Sequence, residues 1–120
     1  MKKRIMVIED DPVFQELLTM LLSKEFEATV CASVEESLPR IEAGGYQLVI
    51  SDINLLGMTG FEILDRMRQS GLLETCPVVL CSSQFDAATK EKALSLGAAG
   101  FIAKPYEPEA VLAMVRSLLA

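Results

Sequence analysis

Four short stretches carry polar groups that could act together: Glu9-Asp10-Asp11, Asp52 with Asn54, Ser82-Ser83-Gln84, and Lys104 before Pro105. Each directly follows an apolar run. Carboxylates gathered in one place repel each other unless a cation lies between them. A ligand set made of oxygens favours a hard divalent ion. One or two carboxylates completed by waters and a phosphate oxygen describe magnesium better than calcium, which takes roughly six to eight oxygens. Alone, Glu9-Asp10-Asp11 reads as a solvated turn capping a helix. Joined with Asp52 behind a second apolar run, it reads as part of a metal site. The chain has no histidine, which removes imidazole acid–base catalysis, His-based triads and His-rich zinc sites together.

These stretches act together only if the apolar runs before them are neighbouring strands. Five such runs recur: Ile5–Ile8, 28–32, Leu48–Ile50, Val78–Cys81 and Phe101–Ala103. The first, third and fourth are continuous and rich in Val, Ile and Leu, as strands covered on both faces are. The second, Ala-Thr-Val-Cys-Ala, is weaker and suits a place nearer an edge.

Helical periods fill the gaps. Val13, Phe14, Leu17, Leu18, Leu21 and Leu22 form a stripe behind Asp11-Pro12. Ser33 with Glu36, and Thr59 with Glu62, fit capping boxes. Asp86 suits the cap of a helix that ends at Gly97, and Pro108 opens the last one. Pro39 falls inside the second helix, where it removes a backbone donor, so that helix is expected to be short or kinked. The order is βα five times over. It predicts an α/β domain with a doubly wound five-stranded parallel sheet and five helices on its two faces. In such a sheet, ligands gather at the carboxyl ends of the strands, where the four polar stretches fall.

Composition agrees with one packed domain over residues 1–120. The chain is 51% hydrophobic and 23% charged, which excludes a disordered polymer. Eleven basic against seventeen acidic residues give a net charge of −6, so binding to nucleic acid or anionic lipid is not expected. Cys31, Cys76 and Cys81 are an odd number without metal-ligand spacing and sit beside apolar residues, as buried thiols in a reducing compartment do. Behind Lys2-Lys3-Arg4, the apolar run of Ile5–Ile8 is too short for a secretory or membrane segment, and a cytoplasmic location is expected.

The motifs V-I-E-D-D-P (7–12), D-I-N-L-L-G-M-T-G (52–60), P-V-V-L-C-S-S (77–83) and G-F-I-A-K-P-Y (100–106) resemble, in this order, the receiver domain of two-component response regulators. The likeness runs from Arg4 to Leu119 and implies the flavodoxin-like receiver fold, with strand order 2-1-3-4-5. It implies that Asp52 is the phosphoacceptor, with Ser82 and Lys104 assisting catalysis. Glu9 and Asp10 resemble the acidic pair that holds magnesium, Asp10 directly and Glu9 through water, with Asp52 and the Asn54 carbonyl completing the protein ligands. Asn54, Ser82, Ser83 and Lys104 fall where the phosphoryl group is bound. Ser82 and Phe101 occupy the places of the switch pair, and Asn54 and Gln84 those that tune phosphoryl lifetime. Leu55-Leu56 replaces a common Met-Pro, and Ser83 a common Ala or Gly.

The resemblance further implies a sensor histidine kinase or histidine phosphotransfer protein as donor, with readout through the fourth helix, fifth strand and fifth helix to an output domain or partner. The chemistry is consistent. A carboxylate attacking a phosphoryl group brings anion to anion, and magnesium with the Lys104 ammonium would neutralise that charge.

Other readings compete. A magnesium-dependent phosphatase of the haloacid-dehalogenase type wants a second aspartate two residues after the nucleophile, where Asn54 stands. A flavodoxin wants a hydroxyl- and glycine-rich loop after the first strand, where this chain has Glu9-Asp10-Asp11. A pseudo-receiver docking module would lack the acidic pair or the lysine. Lys104 could be a surface lysine, unless a cis bond to Pro105 turns it inward. Phe101 could be a fixed strand residue packed on the fifth helix, and Met58 and Met67 core filler.

Overall fold

A computed structural model describes residues 2–55, 57–83 and 86–120. Five strands, β1 (Arg4–Ile8), β2 (Glu27–Cys31), β3 (Leu48–Asp52), β4 (Val78–Ser82) and β5 (Gly100–Ala103), alternate with five helices. The helices are α1 (Pro12–Leu22), α2 (Val34–Glu42), α3 (Gly60–Gln69), α4 (Ala87–Ser95) and α5 (Pro108–Leu119). A short 3-10 turn, Leu72–Glu74, follows α3. The strands pair in parallel, as the βα repeat predicts, and in the order β2-β1-β3-β4-β5 that the resemblance implies.

Alternation along the strands splits the core in two. Ile5 and Val7 of β1, Leu48 and Ile50 of β3, Val79 and Cys81 of β4 and Ile102 of β5 pack with α1 and α5. Met6, Ile8, Val49, Val78, Leu80 and Phe101 pack on the opposite face with α2, α3 and α4. Period-two side chains of strands buried on both faces explain why β1, β3 and β4 read as continuous apolar runs. At the edge, β2 is only partly covered and its polar Glu27 is exposed; it starts one residue earlier than its apolar stretch.

Several local expectations hold. Asp11 takes the Val13 N–H at 2.9 Å, Ser33 that of Glu36 at 3.1 Å and Asp86 that of Thr89 at 2.7 Å. The α4 segment ends at Gly97, whose φ of +104° suits a residue without Cβ. Met67 is fully buried, and Met58 packs against the core from a half-buried position. Helix α2 is short, nine residues, and runs through Pro39. The carbonyl that Pro39 cannot serve belongs to exposed Glu35, within reach of water.

Two expectations need correction. Val13 does not join the apolar stripe of α1 but is 69% exposed, because the sheet meets the helix through Leu18 and Leu22. Phe101 is a buried strand residue, but it packs on the α3–α4 side and not on α5. Strand parity decides this: its neighbour Ile102 takes the α5 face, so Phe101 must take the other.

Candidate functional site

The register brings the four polar stretches onto one rim. Ile8 pairs with Ser51 and Asp52 with Cys81, so Glu9 and Asp52 leave adjacent strands at the same height. Ser82 pairs with Ala103, and the Lys104 N–H donates to the Ser82 carbonyl at 2.9 Å. Lys104 is thereby anchored beside β4, and its bond to Pro105 is cis.

Glu9 and Asp52 are both buried, and Asp10 reaches solvent between them. One carboxylate oxygen from each of the three lies within 4.8 Å of the others, an arrangement that could hold a divalent cation. Lys104 Nζ lies 2.6 Å from Glu9 Oε1 and 3.2 Å from Asp52 Oδ2, and 4.2 Å from the centre of the Phe14 ring. The far oxygen of Glu9 accepts the Asp11 N–H at 3.2 Å, and its carbonyl takes the Gln15 side-chain amide at 2.5 Å.

Burial holds the Glu9 carboxyl above the ordinary carboxylate range, against the pull of Lys104 and the Asp11 amide. Burial alone would lower the Lys104 pKa, but its hydrogen bond to Glu9 and the charges of Asp52 and Glu9 outweigh that and raise it. Lys104 is therefore a firm ammonium, neither a base nor a surface lysine.

The loop after Asp52 returns over the same strand end. Gly60 donates to the Ile53 carbonyl at 3.0 Å, and a Cβ at position 60 would stand 2.5 Å from the Asp52 carbonyl oxygen. Only glycine allows that approach. On the α4 side, Asn54 and Ser82 line a cavity of about 260 Å³ with Phe61, Thr89 and Lys92. Ser82 is buried, whereas Asn54 and Ser83 are exposed. Phe101 is buried one strand beyond, at 7% exposure. Gln84 and Leu56 lie outside the described residues.

The structure thus brings Glu9, Asp10, Asp52 and Lys104 together, with Ser82 and Asn54 beside them. It also reveals residues that sequence reasoning missed. Tyr106 is buried, its ring meets Phe14 edge-to-face at 5.4 Å between centroids, and its hydroxyl lies 3.4 Å from Glu9 Oε1. Burial, with the neighbouring Cys81 and Glu9, pushes its pKa far up, so it stays a phenol. The Cys81 thiol beside it is pushed up to about 12, chiefly by burial, and the Cys76 thiol to about 11. The only sequence signal for Tyr106 was a hydroxyl-bearing aromatic two residues after Lys104.

A doubly wound sheet in this order, with its polar groups on the carboxyl rim, is the flavodoxin-like architecture. A crystal structure assigned as a response regulator from Chloroflexus aurantiacus J-10-fl superimposes with a TM-score of 0.92 at 29% identity, over 99% of this chain and 98% of that one. The chain belongs to the response regulator receiver domain family, whose model matches residues 5–116.

Among relatives, the uncharacterized transcriptional regulatory protein YkoG of Bacillus subtilis is 32% identical over 98% of this chain and 51% of its own length. The DNA-binding response regulator MtrA of Mycolicibacterium smegmatis is 31% identical over 99% of this chain and 51% of its own. The chain spans about half the length of these relatives. No helix among the described residues is long and apolar enough to cross a membrane.

Proposed function

We propose that residues 1–120 form one phosphoacceptor domain of a two-component system, in which Asp52 receives a phosphoryl group from a phosphohistidine on a sensor kinase or phosphotransfer protein. The observation that carries this reading is Lys104 seated within reach of both Glu9 and Asp52 inside a triad of carboxylates. An Asp52 oxygen attacks phosphorus, the P–N bond to the donor imidazole breaks, and its electron pair returns to the ring nitrogen. Attack on a dianion needs positive charge in place beforehand. Lys104 supplies one such charge. Magnesium, when bound by Asp10, Asp52, the Asn54 carbonyl and, through water, Glu9, would supply the rest as a Lewis acid.

After transfer, Lys104, the Ser82 hydroxyl, Asn54 and Ser83 would bind the new oxygens. Ser82 drawn toward the phosphoryl group would free space that Phe101 and the α4-β5-α5 surface follow, which is the route to an output domain or partner. Asn54 and Gln84 would set the lifetime of the phosphoryl group, and neither carries a charge that would make it a strong base for water. The same neutrality at Asn54 leaves a phosphatase without its second acid. The domain is a cytoplasmic signalling module that assists its own phosphorylation and dephosphorylation. With a net charge of −6, it leaves any DNA contact of a longer regulator to another segment.

Acetyl phosphate with magnesium is expected to add one phosphoryl mass to the wild type and none to Asp52→Ala, read by intact-mass spectrometry. Full labelling of the variant would place the acceptor elsewhere.

A further inference from the structure

Tyr106 has no part in the chemistry above, yet its buried hydroxyl points into the carboxyl rim. We propose that this hydroxyl is a positioning group for Glu9, holding its carboxylate for the metal when Lys104 turns to the phosphoryl group. The inference rests on the magnesium reading of Glu9, Asp10 and Asp52.

Glu9 is 1% exposed, so its oxygens depend on protein donors. Oε2 has the Asp11 amide at 3.2 Å, and Oε1 has Lys104 at 2.6 Å and Tyr106 at 3.4 Å. Lys104 is shared with Asp52, and phosphoryl oxygens arriving there draw the ammonium away from Oε1. Glu9 is closed to solvent as it stands, and the Tyr106 hydroxyl lies 3.4 Å from the oxygen that Lys104 would leave. While Lys104 holds the short contact, 3.4 Å is a weak bond. Closing to an ordinary O–H···O length of ~2.7 Å takes a shift of roughly 0.7 Å. The ring is steadied edge-on against Phe14, so the hydroxyl is aimed by packing and needs no reordering. A carboxylate that orients a metal-bound water is itself oriented by such donors. Phenylalanine would keep the packing and delete the hydroxyl, together with its contact to the buried Cys81 thiol.

The experiment is a magnesium titration in the presence of beryllofluoride, whose fluorides stand in for phosphoryl oxygens and engage Lys104, followed by amide NMR, of the wild type, Tyr106→Phe, Glu9→Gln and the double variant. Tyr106→Phe is expected to weaken binding about fivefold, the worth of one net hydrogen bond. No further loss should follow from adding it to Glu9→Gln, because the two act on one group. Unchanged or tighter binding in Tyr106→Phe overturns the proposal, as does a loss that adds in full to that of Glu9→Gln. Should Tyr106→Phe fold poorly, the Tyr106 Cζ resonance of the wild type serves instead. It is expected to move on adding magnesium with beryllofluoride, and a fixed resonance overturns the proposal. Wild-type binding that survives Asp10→Asn unchanged overturns the magnesium reading itself, a result distinct from a silent Tyr106.

Discussion

The two ends of the sheet hold the same kinds of charged side chains in opposite circumstances. At the carboxyl end, Lys104, Glu9 and Asp52 form ion pairs whose side chains are 7%, 1% and 7% exposed. At the amino end, Arg116 pairs with Glu25 on side chains 52% and 41% exposed, beside Lys2 and Lys3. The amino end also has the larger cavity, about 540 Å³ against about 260 Å³ beside Asn54 and Ser82. Yet its cations are already answered: Lys2 by the Ser23 carbonyl, Lys3 by that of Leu119, and Arg116 by Glu25. Reactivity follows desolvated charge, not volume. A buried cluster holds charges that solvent does not screen, whereas an exposed pair is close to what water would provide.

The difference is broken most severely by removing Lys104. Lys104→Met leaves Glu9 and Asp52 facing each other without a cation, and should cost about 3 kcal/mol in urea unfolding at neutral pH without magnesium. Added magnesium should recover part of this. The pH dependence has a definite sign. Burial raises the Glu9 pKa above its ordinary 4.5, so between 4.5 and the folded value the native state holds a proton that the unfolded chain releases. Stability therefore falls as pH rises through that window. The fall should be steeper in Lys104→Met, where the ammonium no longer opposes the shift. A variant with wild-type stability at neutral pH would erase the distinction between the two ends.

Most of this frame was legible in the sequence because it depends on short-range pattern. Buried parallel strands are continuous apolar runs, caps stand next to the helices they open, and the strand ends therefore locate Glu9, Asp52, Ser82 and Lys104. Facing direction was harder. The alternative that packed Phe101 on α5 had the wrong layer, because a strand residue's side depends on parity and a four-residue strand offers little pattern to fix it. Contacts between distant segments were not legible. Tyr106 and Glu9 are 97 residues apart, and nothing near either one announces the other. The fit of Gly60 against the Asp52 carbonyl was hidden likewise, although its motif was recognised.

Gly60 gives the middle-sized test. Gly60→Ala places a methyl group 2.5 Å from the Asp52 carbonyl oxygen and 2.9 Å from the Ile53 Cα, both backbone atoms that cannot swing aside. Overpacking of this kind costs ~2 kcal/mol and should also slow Asp52 phosphorylation by displacing the strand end. Gly44 at the amino end is the control. Its Cβ would meet nothing within 4 Å, and only its φ of +91° opposes substitution. Gly44→Ala should cost ~1 kcal/mol and leave the phosphorylation rate untouched. Equal effects on that rate would mean that the close approach at Gly60 does not hold Asp52 in place.

The smallest effect is expected at the amino end, beside the larger of the two cavities. The Arg116 guanidinium lowers the pKa of Glu25, through their hydrogen bond first and its charge second. Both groups stand in solvent, so the shift reports proximity and not a reserve of stability. Glu25→Gln should leave the thermal midpoint nearly unchanged, with any difference seen at low ionic strength and lost on adding salt. Acetyl phosphate labelling of Asp52 should match the wild type, because the pair lies at the far end of the strands. The informative measurement is a side-by-side salt series of thermal midpoints for Glu25→Gln and Lys104→Met. The first difference should vanish as screening rises. The second should persist in monovalent salt, since the Glu9 and Asp52 side chains are only 1% and 7% exposed and buried charges are screened much less than exposed ones. If both decayed alike, the Lys104 cluster would behave as a surface feature, and burial would no longer explain why chemistry belongs to that end of the sheet.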